Sequence, residues 1–431
     1  MNTMVNEKMV TEHSELLPGI SLGREDQLLI HCARLELSQA RRDAIKELTA
    51  TGINWDLILE RAAWHRLSCL VSHHLRTAGL SELVPQAVLQ KLHRINYANL
   101  ARNMLLQDGL SQILSAFNQE EIPIIVLKGA ALLGTVYHDI SLRPMSDLDI
   151  LVQPQHLDRA EIVALHQGYI YTSGHNVQES FKANSHQLPF LIHHNKGIVL
   201  EIHQHIVDSN SPYRFDLGGF WHRARPISIL GSQALTLAPE DQLLHLSIHF
   251  IQDRRYHSNS ALGQLCDISE VILHYGDSLD WNLIEKFTEE NGITSGLHCV
   301  LYACKHLLHT QMPDSVLRKL QPRDFNQALT HAFLLRRVLD TRPWLAHDLV
   351  ASQHSYRHPR IFWAIIRRLF HVPEEVSLEQ RIQTYLISFY FKRLKNIIPK
   401  LGRMLIRPKE LKQELLLDQW FHNIFNSNIR A

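Results

Sequence analysis

Only five cysteines occur in 431 residues, and no two of them form a Cys-x-x-Cys pair. Their odd number and scattered spacing argue against a disulfide framework and fit buried thiols in a reducing cytoplasm. No apolar run approaches the roughly 18 to 20 residues of a membrane span. Residues 1–22 lack an apolar stretch after a basic start, so no secretory signal is expected and the expected location is cytoplasmic. Charge of one sign is not in excess: 44 Lys and Arg stand against 43 Asp and Glu, a net charge of +1. No global field therefore draws the chain to nucleic acid. Gly-x-x-x-x-Gly-Lys-Ser/Thr is absent, which argues against a P-loop kinase or ATPase. There is no internal repeat and no low-complexity linker.

What remains is an ordinary globular composition, 45% hydrophobic and 20% charged, with 29 histidines spread along the chain. The length suffices for two or three domains. Residues 1–24 read as a flexible N-terminus. Residues 25–119 read as helical, with apolar residues at helical spacing from Gln27, over Trp55–His74 and over Ala87–Phe117. Residues 120–237 change character. Expected there are a strand over 122–127, a helix Ala130–Tyr137, a strand Leu148–Val152, a helix His156–His166 ended by Gly168, and a short strand Tyr169–Tyr171. Gln187–His194 and Ile198–Ile206 flank Asn195-Lys196-Gly197, a hairpin signal. Residues 238–345 return to helix (Glu240–Phe250, Ala261–His274, then near 282–290, 297–308 and 324–339). Residues 346–431 read as helical, basic and aromatic, with helices near 360–370 and over Glu379–Arg407. The expected fold class is α+β, a small mixed β-sheet core between N-terminal and C-terminal helical regions.

The chemistry concentrates in the mixed part. In Arg143-Pro-Met-Ser-Asp147-Leu-Asp149-Ile-Leu-Val152, two aspartates lie two residues apart at the start of an apolar strand, so both point to one face. Such a pair can hold a divalent cation or bridge two. In Gly197-Ile-Val-Leu-Glu201-Ile-His203-Gln-His205, Glu201 interrupts an apolar strand, sharing its face with Val199, His203 and His205. A buried carboxylate needs a partner. A cation shared with Asp147 and Asp149 would supply one, and so would Arg143 or a nearby lysine. Upstream, an apolar strand ends in Lys128-Gly129. The glycine admits a phosphate to the backbone, the following helix presents free N–H groups, and Lys128 can neutralise phosphate charge.

Leu127-Lys128-Gly129-Ala130-Ala131-Leu132, Tyr137, the Arg143 to Val152 segment and Leu200-Glu201-Ile202-His203 together resemble an uncharacterised bacterial nucleotidyltransferase family of the polymerase-β-like superfamily. The motifs span about 80 residues, and the family layout is expected over 25–300. The resemblance implies a nucleotidyltransferase core that moves a nucleoside monophosphate from an NTP to an acceptor, with two Mg²⁺ ions or Mn²⁺. It implies that Asp147, Asp149 and Glu201 bind metal and carry catalysis. It also implies that Lys128, Gly129, Ala130, Arg143 and Ser146 meet the nucleotide. Gly129-Ala130 stands where the superfamily more often has Gly-Ser, and Glu201 where Asp is more usual.

Further residues have two readings each. Arg143 reaches the triphosphate or forms a structural salt bridge. His203 hydrogen-bonds an acid or substrate. His245 and His249, one helical turn apart, and Asp267 on the next helix border the substrate cleft or belong to a packed interface. The acid-free basic segment 385–409 packs on its own domain or makes peripheral membrane contact. The acceptor stays open among small molecule, peptide, sugar phosphate and tRNA. Alternatives to the enzyme are a non-catalytic nucleotide- or partner-binding protein with this fold, and a toxin-like tRNA-modifying nucleotidyltransferase.

Overall fold

The computed structural model describes residues 21–172, 182, 185–207, 213, 215–256, 260–323, 325–341, 416, 417 and 420. The helices expected near 360–370 and over Glu379–Arg407, and the basic segment 385–409, lie outside these residues. Among the described residues no helix is long and apolar enough to cross a membrane.

The described residues open with four helices, α1 (Arg24–Cys32), α2 (Gln39–Ala50), α3 (Trp55–Trp64) and α4 (Ser68–Thr77). Two begin at side-chain caps: Ser38 accepts from the Arg41 N–H, and Asn54 from the Leu57 N–H. The helical run Trp55–His74 falls in two helices. It breaks at His65-Arg66-Leu67, where Arg66 takes φ +58°. Neither glycine nor proline marks this break; a tertiary contact holds it. The Ser260 N–H donates to the Trp64 carbonyl at 2.9 Å, and a Cβ on Gly263 would lie 2.4 Å from the His65 carbonyl oxygen. The long helix α5 (Gln86–Gln119) follows, with Leu106, Leu110, Ile113, Leu114 and Phe117 buried along one stripe.

The mixed part contains β1 (Ile125–Val126), α6 (Lys128–Thr135), β2 (Asp147–Leu151), α7 (Leu157–His166), β3 (Tyr169–Tyr171), β4 (Leu191–His193), β5 (Val199–His203), α8 (Gly218–Arg223), β6 (Arg225–Ile229) and β7 (Ser232–Thr236). The strands form one mixed sheet of order β3-β4-β5-β2-β1-β7-β6. The pairs β2–β5 and β1–β7 are parallel, and the other neighbours are antiparallel. The fold is therefore α+β. Two strands are shorter than their apolar runs suggest, because Pro123 and Pro189 supply no N–H to a ladder. The hairpin β6–β7, additional to the expected strands, turns on Leu230 and Gly231, both at positive φ.

Helices α9 (Pro239–Tyr256), α10 (Ala261–Tyr275), α11 (Trp281–Glu290), α12 (Thr294–Leu308), α13 (Asp314–Leu320) and α14 (Gln327–Phe333) complete the described chain. The expected single helix 324–339 is α14 followed by a π-helical turn, Leu334–Leu339. One contiguous apolar core runs from Leu28 through the sheet to Leu339.

Candidate functional site

Strands β2 and β5 pair in parallel with Asp147 opposite Val199, Asp149 opposite Glu201, and Leu151 opposite His203. Alternation then sends Asp147, Asp149, Glu201 and His203 to one face. Leu148, Ile150, Leu200 and Ile202 go to the other face and are buried in the core. A one-residue slip would turn the acids to the apolar core and these four to the acid face, so the apolar face fixes the register. Helix α5 reinforces it. Arg102 donates to the Ser146 carbonyl at 3.0 Å and to the Gly197 carbonyl at 3.3 Å, tying the start of β2 to the turn before β5. Asn99 and Asn103 hold the loop that leads from α6 into β2 through the Ser141 and Arg143 carbonyls, at 2.7 and 2.8 Å.

Lys128 is the first residue of α6 and has φ +46°, a conformation a side chain bearing a Cβ rarely adopts. Its ammonium donates to Asp149 Oδ1 at 2.6 Å and lies 3.9 Å from Glu201 Oε2. His203 Nε2 lies 2.9 Å from the same Asp149 oxygen and 3.5 Å from Glu201 Oε2. Burial acts to raise the Asp149 pKa, but Lys128 and His203 outweigh it and hold the carboxyl well below its usual range. Burial likewise opposes the Lys128 charge, and Asp149 and Glu201 outweigh it, raising the ammonium above its usual value. Asp147 behaves differently. It accepts from Ser146 Oγ at 3.0 Å, and burial together with the Asp149 charge pushes its pKa up.

Asp149, Glu201 and His203 each offer a ligand atom, all within 4.8 Å of one another. This buried group, two carboxylates and an imidazole, could hold a metal ion. The set differs from the three acids expected: His203 belongs to it, while Asp147 stands beside it on the same strand face.

Arg143 is bound to Asp267. Its Nε and Nη2 donate to the two carboxylate oxygens at 2.9 and 2.7 Å, and the Tyr137 hydroxyl donates to Oδ1 at 2.8 Å. Burial opposes the Arg143 charge, but Asp267 outweighs it and raises the pKa further. Of the two readings of Arg143, this geometry has the salt bridge, from the core to α10. Gly129 leaves room for it, since a Cβ there would lie 2.4 Å from Arg143 Nη1 and 2.8 Å from Met145 Sδ. Asp267→Ala should leave a buried guanidinium unpaired and lower stability by about 3–5 kcal/mol. Urea unfolding tests this. The double variant Asp267→Ala/Arg143→Met should recover part of the loss, and an unchanged midpoint in the single variant refutes the pair's importance.

A cavity of about 580 Å³ opens above the acids, lined by Lys128, Gly129, Arg143, Asp147, Asp149, Glu201 and Asp267 among others. Four other expected site residues, Ala130, Ser146, His203 and His245, are not among those lining it. Ala130 is buried against the core and Ser146 is exposed beside Asp147. His203 is buried, bonded to Asp149. His245 is buried and off the cavity wall, its pKa pushed well down by burial and by Lys128; His249, one turn on, lines the wall. His205 leaves the acid face, its Nε2 lying 2.9 Å from the Phe215 carbonyl.

The cavity also recruits residues that sequence reasoning passed over: Arg66, Phe190, Gln252, Asp253, Ser260 and Gln264. Gln264 donates to Asp253 Oδ2 at 2.6 Å, joining α10 to α9. On α9 a polar face of His249, Gln252 and Asp253 was a legible signal. Arg66 and Ser260 carried none, because their placement depends on contacts distant in sequence, Ser260 with Trp64 and Gly263 with His65. Arg66, Lys128 and Ser260 all have positive φ and all line this cavity. Strained backbone of this kind persists where surrounding structure over-determines it, commonly at functional sites. Gly263→Ala should force the His65 carbonyl away and lower stability by about 1–3 kcal/mol, read as a lower Tm; an unchanged Tm would show that the contact can relax freely.

A sequence profile described as an uncharacterised nucleotidyltransferase matches residues 51–309, more than half of the chain. No curated protein and no solved structure matches it significantly.

Proposed function

Because this chain belongs to the uncharacterised nucleotidyltransferase family, we propose that it transfers a nucleoside monophosphate from an NTP to an acceptor hydroxyl or phosphate and releases pyrophosphate. The observation that carries this reading is the alignment of Asp147, Asp149 and Glu201 on one face of two parallel strands, on the wall of a cavity that Lys128 also lines. Asp149 and Glu201, with Asp147 and His203 beside them, would hold Mg²⁺ or Mn²⁺. A bound divalent ion supplies Lewis-acid polarisation of the α-phosphate. Lys128, held by Asp149, is placed to balance negative charge as the α-phosphate is attacked. Glu201 faces the cavity and can take the proton of the acceptor hydroxyl. His203 fixes the orientation of Asp149. The Gly129 backbone and the first turn of α6 offer N–H groups to phosphate.

The test is incubation with each α-labelled NTP, Mg²⁺ and cell extract, followed by mass spectrometry of labelled products. Product formation undiminished in Asp147→Ala and Asp149→Ala would overturn the assignment. Small-molecule, peptide, sugar phosphate and tRNA acceptors are separated by the mass of the product.

One observation favours a second reading, nucleotide binding without transfer. The Lys128 ammonium already neutralises Asp149 at 2.6 Å, so the cluster balances much of its charge without an added ion. In that case calorimetry would give NTP binding that is independent of Mg²⁺ and of Asp149.

A further inference from the structure

Among the described residues, the Arg and Lys side chains that line the cavity are Arg66, Lys128 and Arg143. Two are committed. Lys128 is held by Asp149 and Arg143 by both oxygens of Asp267, and each is largely buried. Neither can turn to a polyphosphate without abandoning a buried carboxylate, which is costly. The Arg66 side chain carries no hydrogen bond or ion pair among the described residues. It is exposed, lines the cavity, and lies close enough to Asp147 for its charge to act on that carboxyl.

Its backbone is fixed with unusual care for an exposed residue. Arg66 has φ +58°, its N–H donates to the Ala63 carbonyl at 3.2 Å, and Leu67 N–H closes the turn on Ala62 at 2.8 Å. The flanking residues are clamped against the start of α10 by the Ser260–Trp64 bond and the Gly263–His65 contact. This backbone sets Arg66, without a partner among the described residues, on the cavity wall from outside the β-sheet core. A guanidinium fork suits phosphate oxygens, which it can bind in bidentate fashion.

We infer that Arg66 is the polyphosphate-binding residue of this site, taking the phosphates that leave as pyrophosphate. This rests on the nucleotidyl-transfer reading and adds to it a ligand group from the N-terminal helices. Arg66 contacts the part of the nucleotide that is not transferred, so it separates triphosphate from monophosphate.

Calorimetry on the full chain with Mg²⁺ tests this, using the four NTPs, the matching NMPs and inorganic pyrophosphate as separate probes. Arg66→Ala should weaken NTP and pyrophosphate binding by at least about tenfold, leave NMP binding within about twofold, and be partly rescued by Arg66→Lys. Circular dichroism and Tm confirm that the variants fold, which is expected of an exposed side chain. NTP binding by wild type that Arg66→Ala leaves unchanged, or an equal loss for NMP, overturns the assignment of Arg66 and leaves the transferase reading standing. Wild type that binds none of the NTPs overturns both.

Discussion

Asp149→Asn is expected to slow pyrophosphate release from NTP by about 10³-fold or more, which corresponds to about 4 kcal/mol of lost transition-state stabilisation. The substitution keeps the shape of the side chain and removes its charge. Asp149 is the hub of the cluster: one oxygen meets both Lys128 at 2.6 Å and His203 at 2.9 Å. Without that charge Lys128 keeps only the more distant Glu201, at 3.9 Å, among the acids it pairs with. The ammonium loses its place, and the group able to hold a cation loses its central ligand. The measurement is single-turnover release of labelled pyrophosphate, with Tm followed in parallel to separate chemistry from folding. Activity within tenfold of wild type in a folded variant would remove Asp149 from the mechanism.

The second large effect is acid sensitivity. His65, His74 and His298 are buried, and burial lowers each pKa to about 4 from 6.5. A group whose folded pKa lies below its unfolded value binds fewer protons when folded. Stability therefore rises with pH between the two values and falls as pH drops from 6.5 toward 4. At pH 5 each of the three should have lost about 2 kcal/mol, and together they rival a typical net stability of about 5–15 kcal/mol. Carboxyls with raised pKa values (Asp26, Asp241 and Glu270, all chiefly through burial) act in the opposite sense above pH 4 and temper the slope. Thermal melts from pH 8 to pH 4 should show a steep loss beginning below 6.5. His298→Phe, beside Phe325, should flatten that limb. A Tm constant down to pH 4 would show that these histidines are protonated in the fold or exposed before it melts.

The same burial accounts for much of what was hard to read. His245 and His249 on one helix face fitted a cleft wall or a packed interface. Packing buried His245 and gave the wall to His249. Arg143 was legible as a partner for phosphate or for an acid, because a guanidinium serves either. Asp267, 124 residues later in sequence, decided it through two hydrogen bonds. Helix α5 shows the same limit. Its apolar stripe was readable from spacing. The role of Asn99, Arg102 and Asn103 in holding the carbonyls of the acid-bearing loop was not, because polar residues on a helix carry no address.

The sequence by itself determined the elements whose causes are local. Alternation placed Asp147 with Asp149 and Glu201 with His203, turn chemistry placed the hairpin at Gly197, and periodicity placed most helices. These signals lie within a few residues of one another, where backbone geometry alone sets which side chains share a face. Only the tertiary structure decided how the parallel pairing of β2 with β5 sets Asp149 opposite Glu201, and that Lys128 lies among the acids. It alone set Arg66, from a helix break held by Ser260 and Gly263, over the same cavity. Those relations depend on contacts between segments up to about 200 residues apart, and burial of the apolar faces on both sides of the sheet selects them collectively.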